Sequence, residues 1–318
     1  MSEKTGLLSA GARIARRNKR YVIWFYLLNR MFAFLGTQSF GRQAGAILDH
    51  SLYADKLLHG FDVNVFVEML ARPEFGSVNT STAPAFSLAF LFFLATMLLL
   101  PGVLLGYASD HRLPRDEFYR TCGQNIWRFV RLFLCFLVIA GPTAGILGAG
   151  QNAWVKAAGE SSNERLPFFI HLICTGIIFL VLTSIRIWFD LAQAQVVVAD
   201  QGKVRKSIAA AYRGMKGHRM RLLGSYLLIT LPAGMVLLAG IWVWIKFIPA
   251  ASILGAFVVG QAILLVLLAA RFWQRACAVA FYLDSMTGPT VERQPVPVAP
   301  FPIVPTADEG GLEPLPQT

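Results

Sequence analysis

The amino-acid sequence predicts an all-α integral membrane protein, a six-helix bundle with short amphipathic helices outside and a cytoplasmic helical hairpin. Three observations carry this. Of 318 residues, 55% are hydrophobic and only 15% charged, against roughly 25% charge in soluble domains. Six apolar runs, about 21–40, 84–107, 127–149, 167–187, 222–245 and 250–271, have the ~20 residues that a helix needs to cross ~30 Å of hydrocarbon. Basic residues fall on alternate sides of those runs.

The runs lack the alternation of transmembrane β-strands, which are ~10 residues long with a period of two. A lipid-exposed segment must also satisfy its own N–H and C=O groups, which a helix does within itself. The charges then orient the bundle. Arg13, Arg16, Arg17, Lys19 and Arg20 precede the first run, Arg112, Arg115 and Arg120 follow the second, and Lys203, Arg205, Lys206, Arg213, Lys216, Arg219 and Arg221 separate the fourth from the fifth. The other loops balance their basic residues with Asp49, Asp55, Asp62, Glu68, Glu74, Glu160 and Glu164. Excess Lys and Arg mark the cytoplasmic side, so both termini are expected inside, with six crossings. The net charge of +11 therefore calls for no nucleic acid, which needs a groove-reading basic face. Membrane lipids are the expected partners.

Residues 1–20 form a basic cytoplasmic segment. Within it "LLSAGARIARRNKR" sets Leu7, Leu8, Gly11 and Ile14 on one helical side and arginines on the other, as in a helix lying in the inner interface. A solvated tail that only sets topology is the alternative. "AGA" at 44–46 resembles a signal cleavage site, but the first run is too long for a signal core and Arg30 interrupts it. The loop 41–83, outside, spaces Ile47, Leu48, Leu52, Leu57 and Leu58, then Phe61, Val65, Phe66, Met69 and Leu70, at helical intervals. Two short amphipathic helices are expected there, resting on the membrane or capping the bundle.

The third run contains "AGPTAGILGAG". Gly141 and Gly145, four apart, predict close helix packing, with a broken, substrate-lining helix at Pro142 as the alternative. Pro232 and Gly234 in the fifth run have the same two readings. The fourth run stays helical through "FDLAQAQVVVAD" to Asp200, a rod of ~50 Å that projects into the cytoplasm. "DQG" at 200–202 turns the chain, and Val204, Ile208, Ala211, Tyr212 and Met215 form an apolar stripe opposite Arg205, Lys206, Arg213 and Lys216, completing the hairpin. The sixth run continues likewise through "RFWQRACAVAFYLD" to about 285.

"RIW" with "LAQAQVVVAD" after the fourth run, and "RFW" with "RACAVAFYLD" after the sixth, share an arginine, a tryptophan two later, alternating alanines and a final aspartate. An internal repeat gives such a pattern, although Arg and Trp also recur at inner helix ends generally. The transmembrane domain thus spans 21–286. Residues 287–318 hold eight of the sixteen prolines and predict a disordered cytoplasmic tail of polyproline character, with binding to a partner's aromatic groove as the alternative.

Motifs for metal, nucleophilic or dinucleotide chemistry do not occur, so catalytic, cofactor and metal residues are expected to be none. Cys122, Cys135, Cys174 and Cys277 lie in runs or on the cytoplasmic side, without disulfide or metal-ligand pairing. Of the histidines only His171 sits in a run, near its outer end, where water can satisfy it. Arg186 and Asp190 can pair along one helix at the inner boundary, where snorkelling accounts for them. Arg30, beside Asn29, lies ~14 Å into the first run, with no carboxylate at its depth. Carbonyls freed at Pro142 or Pro232, the side chains of Asn29, Thr143, Thr183 or Gln261, water, or an outside anion must serve it. Either a tilted helix lets Arg30 reach the interface, or Arg30 and Asn29 face an interior pocket and hold a lipid phosphate or anionic solute through the guanidinium fork.

The order of a first run with "LLN", an outside "GFDVNVFVEML" helix, a fourth run leading into "AQAQVVVADQGKVRKSIAAAYR" and a last run ending "AVAFYLD" resembles polytopic bacterial families over roughly residues 15–285. These include the membrane domain attached to some glycerophosphodiester phosphodiesterases. The resemblance implies a six-helix bundle without known chemistry; the catalytic barrel of that enzyme group has no counterpart here, so its activity does not carry over. The expected function is that of a non-enzymatic scaffold or accessory subunit of the bacterial inner membrane, meeting other membrane proteins through the cytoplasmic hairpin or the Pro-rich tail. A transporter or lipid-handling protein with a polar intramembrane cavity at Arg30 is the alternative.

Overall fold

The computed structural model describes residues 6–48, 67, 78–109, 111–160, 165–200, 202–249 and 252–285. Among the described residues there are eight long helices and no strand: α1 (Leu7–Arg17), α2 (Lys19–Leu48), α3 (Val78–Ala108), α4 (Arg115–Gly159), α5 (Leu166–Val198), α6 (Val204–Lys216), α7 (Arg219–Phe247) and α8 (Ile253–Ser285). Five stretches of helix, Phe86–Ala108, Arg115–Gly159, Leu166–Val198, Arg219–Phe247 and Leu254–Ser285, are long and apolar enough to cross a membrane. Over its described residues α2 is not one of them: it has 30 residues, but Asn29, Arg30 and Gln38 dilute its apolar content. Among its described residues the chain is all-helical, and its long apolar helices are those of a multi-pass membrane protein.

The helices outrun the apolar runs inside them. α4 continues for 45 residues and passes through Pro142 without ending, a length of about 68 Å, twice the hydrocarbon thickness. α2 goes on past residue 40 to Leu48. α5 stops at Val198, and Asp200 takes a left-handed backbone with φ of 45°, a conformation that reverses a chain in one residue. The turn therefore falls where "DQG" places it. The amphipathic helices expected within 41–83 lie outside the described residues, apart from 41–48, which belong to α2, and Val67 and 78–83. The tail 287–318 lies outside them too.

Two helices organise the bundle. α5 packs on α3, α4, α6, α7 and α8, while α8 packs on α1, α2, α3, α5 and α7. The amphipathic α1 and α6 lie against α8 and α5 at the same end of the bundle. Exposed Arg13, Arg16, Arg205, Arg213 and Arg219 gather there, so it is called the basic end below. α1 leads into α2 through buried Asn18, whose backbone N–H and side-chain amide both donate to the Ile14 carbonyl, at 3.1 and 3.2 Å. Those bonds close the carbonyl end of α1 and fix the bend.

The core lies toward the basic end, where Tyr21, Leu104, Phe129, Leu191, Tyr226 and Phe272 are almost wholly buried. Toward the other end Phe86, Ile146, Phe168, Ile245 and Leu254 are exposed, an apolar surface for hydrocarbon rather than water to cover. This asymmetry corrects two expectations. Gly141 and Gly145 face open space, because they lie on the exposed side of α4, while α4 still meets α5 before and after them through Phe136 and Gln151. The close approaches are at the basic end instead: a Cβ on Gly11 would collide with Cys277 Sγ, and one on Gly106 with the Tyr21 hydroxyl. On α6 the buried face is Val204, Ser207, Ala211 and Met215. Tyr212, expected in that stripe, lies at its margin: it is exposed, although its ring meets Trp188, centroids 5.3 Å apart, and its hydroxyl accepts from Arg219 at 3.0 Å.

Candidate functional site

The interior of the basic end is built on Asp190, whose side chain is 4% exposed. α5 sets Arg186 and Asp190 one turn apart, α7 brings Tyr226 and Thr230, and α8 brings Arg271, Gln274 and Arg275. The Tyr226 hydroxyl donates to Asp190 Oδ2 at 3.0 Å. Arg271 Nη1 stands 3.5 Å from the same oxygen and Arg186 Nε 4.0 Å. Arg186 gives its Nη2 to Gln274 Oε1 at 2.6 Å, and Gln274 Nε2 donates onward to the Thr230 hydroxyl at 2.7 Å. Buried Arg275 lies within electrostatic reach of Asp190, with its guanidinium 5.5 Å from the centroid of the Phe272 ring.

Two guanidiniums, those of Arg186 and Arg271, therefore stand within ion-pair distance of one carboxylate, with the Arg275 charge farther off. A buried carboxylate persists only when paired and hydrogen-bonded, and here the pairing comes from three helices. The cluster fastens α5, α7 and α8 to one another beneath α1 and α6.

The expected intrahelical pair, Arg186 with Asp190, is present at 4.0 Å as one part of this arrangement. Snorkelling describes Arg186 and Arg271, whose side chains are 36% and 30% exposed. It does not describe Asp190, which points into the bundle where Tyr226 and Arg271 hold it more closely than Arg186 does. Tyr226, Gln274 and Arg275 went unseen in the sequence. One signal for Arg275 was present: in "RIWFD" and "RFWQR" it occupies the position that Asp190 occupies in the first copy.

The tryptophans of those two copies do equivalent work. The Trp188 indole N–H donates to the Ile208 carbonyl of α6 at 2.8 Å. That of Trp273 donates to the Leu8 carbonyl of α1 at 3.1 Å. Each central helix thus pins one amphipathic helix through the same residue type, two positions after its arginine.

Arg30 and Asn29 lie elsewhere. Arg30 is exposed and Asn29 half-buried, and the Arg30 guanidinium sits over the Phe257 ring of α8, 4.2 Å from its centroid. One turn nearer the basic end the Tyr26 hydroxyl donates to Gln261 Oε1 at 2.9 Å, so these two contacts form successive rungs between α2 and α8. Of the two settings expected for Arg30, interface and interior pocket, the exposed side chain is not in the second: it stands at the edge of the α2–α8 contact. Gln261 is engaged by Tyr26, and the Thr143 hydroxyl bonds the Ile139 carbonyl of its own helix at 2.6 Å. His171, expected to be left to water, meets the Gln151 amide at 3.1 Å.

Among the described residues an apolar hollow of about 540 Å³ opens between α1–α2 and α7, with α8 as its floor. A recess beside Trp188 and Tyr212 is bordered by Arg205 and Arg213. Neither lining includes Asp190, Arg271 or Arg275. Set against models of protein families, against curated proteins and against solved structures, the chain matches none.

Proposed function

We propose that the protein is a non-enzymatic polytopic scaffold or accessory subunit of a bacterial inner membrane. In this reading it has six crossings, cytoplasmic termini, and a basic end that offers a preformed plateau to partner proteins. The observation that supports it most is the pinning of both amphipathic helices. α1 and α6 bury one face each, are tied down by Trp273 and Trp188, and display Arg13, Arg205, Arg213 and Lys216 on the outside. A surface already ordered loses little entropy on binding, and its charges set partner choice and approach rate. In this reading that end faces the cytoplasm, the side on which excess Lys and Arg are retained. α2, about 45 Å long at 30 residues, serves as the sixth crossing, with Phe257 covering the arginine that lowers its hydropathy. The Asp190 cluster keeps the central helices in register under the plateau.

Site-specific photo-crosslinking in cells tests this. A photoreactive residue at Arg13 or Arg213 should give discrete protein adducts, and one at Phe168 should give lipid adducts alone. Adducts only to lipid from both plateau positions would remove the scaffold function. Labelling of a cysteine at Lys216 by an impermeant reagent from outside intact cells would remove the orientation.

A further inference from the structure

α2 and α7 both pack on α8 but hardly meet each other. The hollow of about 540 Å³ between them is of the size that holds small ligands. Its walls are Val22 and Ile23 of α2, Pro232 and Val236 of α7, and Leu265 and Val266 of α8. Trp273 lies on the floor, and its bond to the Leu8 carbonyl keeps the ring from swinging up to fill the space. From Ile229 to Val236 the hollow follows α7 for about 10 Å, less than half of a ~30 Å hydrocarbon layer. It is therefore a trough confined to one leaflet.

Charge enters the trough at one place. Arg16, at the end of α1, and Lys19, at the start of α2, border it at the basic end. Both are exposed, and neither pairs with an acidic side chain among the described residues. The lining contains no Asp or Glu. A partner helix would have to carry an acid at that level to answer both cations. An anionic phospholipid carries one at the headgroup and an apolar chain below it.

We propose that this trough binds one anionic phospholipid of the leaflet at the basic end, its acyl chain between α2 and α7 and its phosphate between Arg16 and Lys19. The guanidinium offers paired N–H donors to two phosphate oxygens, and the ammonium adds a second positive charge. Bound there, the lipid joins α1–α2 to α7, which otherwise communicate through α8. The site stands independently of the scaffold function.

The test is native mass spectrometry of the full chain equilibrated with mixed micelles of phosphatidylglycerol and phosphatidylcholine. One phosphatidylglycerol should stay bound, preferred roughly tenfold or more on the strength of two basic residues. Arg16→Ala with Lys19→Ala should abolish the preference. Ala269→Phe or Val266→Trp, both at exposed positions of the trough, should expel lipid of either kind while both cations remain; gel filtration and circular dichroism verify that each variant folds. Arg115→Ala with Arg120→Ala, an equal loss of charge on α4, should leave the preference intact, and millimolar inorganic phosphate should leave the lipid in place. A preference that survives loss of Arg16 and Lys19, or that falls equally with the α4 pair, overturns the site. Retention by both filled variants, or displacement by free phosphate, overturns it as well.

Discussion

Tyr226 of α7 donates its phenolic hydrogen to the Asp190 carboxylate of α5 at 3.0 Å, and both side chains are shut inside the bundle. The bond joins two helices through the most buried acid of the described chain. Removing the donor alone, in Tyr226→Phe, should cost about 1–3 kcal/mol, because the carboxylate keeps its arginines but loses a buried hydrogen bond. Removing the charge, in Asp190→Asn, should cost about 3 kcal/mol or more, because Arg186, Arg271 and Arg275 then repel without a counter-ion. Thermal unfolding in detergent ranks the two. Equal losses would mean that Asp190 acts as a hydrogen-bond acceptor and not as a charge.

The paired tryptophans make a prediction that separates by helix. Trp273→Phe keeps an aromatic side chain, though a smaller one, and loses the indole N–H bond to Leu8, so hydrogen exchange should quicken in α1 and stay unchanged in α6. Trp188→Phe, which loses the bond to Ile208, should do the reverse. Each deletion is worth about 1 kcal/mol locally, as one hydrogen bond is. If either variant loosens both helices, the pinning is not local and the plateau moves as one body.

Gly11 lies against Cys277, with no room for a Cβ between α1 and α8. Gly11→Ala should therefore lift α1, at about 1–3 kcal/mol for an overpacked contact. Buried Cys277 should then react with maleimide, which the parent chain resists. Adding Cys277→Ala should restore the protease resistance of α1 in the Gly11→Ala chain, since the sulfur is the atom in the way. Failure of that rescue points to a backbone clash instead.

The sequence showed the class of the fold because membrane burial is written in long apolar runs, which need no knowledge of neighbours. It showed the turn after Val198 for a similar reason, Asp200 and Gly202 being local signals. Contacts across helices were not legible in the same way. Gly141 and Gly145 have the spacing of a packed face without a neighbour to pack on, whereas Gly11, isolated in the sequence, is the tight contact. Asp190 looked like an interfacial residue because it lies at the end of an apolar run, and only Tyr226 and Arg271, 36 and 81 positions away, make it interior. The repeated tryptophans were visible; the carbonyls they bind, at Leu8 and Ile208, were not.

Arg30 is the remaining test of how this bundle sits in lipid. In the proposed six-crossing arrangement Arg30 lies near the middle of a crossing, which costs roughly 2.5–3.5 kcal/mol on insertion scales, and stacking over Phe257, at 4.2 Å, returns roughly 0.5–2 kcal/mol. The first figure wins, so Arg30→Leu should leave the chain as stable or stabilise it by about 1 kcal/mol. Phe257→Leu should destabilise the parent and do measurably less in the Arg30→Leu background. The difference, the coupling in a double-mutant cycle, should be about 0.5–1 kcal/mol at this exposed site. Arg30→Lys should retain part of it, since an ammonium also sits over a ring but without the planar stack. Zero coupling would show that the guanidinium leaves Phe257 in the bilayer. A bound anionic lipid lost on Arg30→Lys would then identify the group that holds it, and with it the anion site that Arg30 and Asn29 suggest in the sequence.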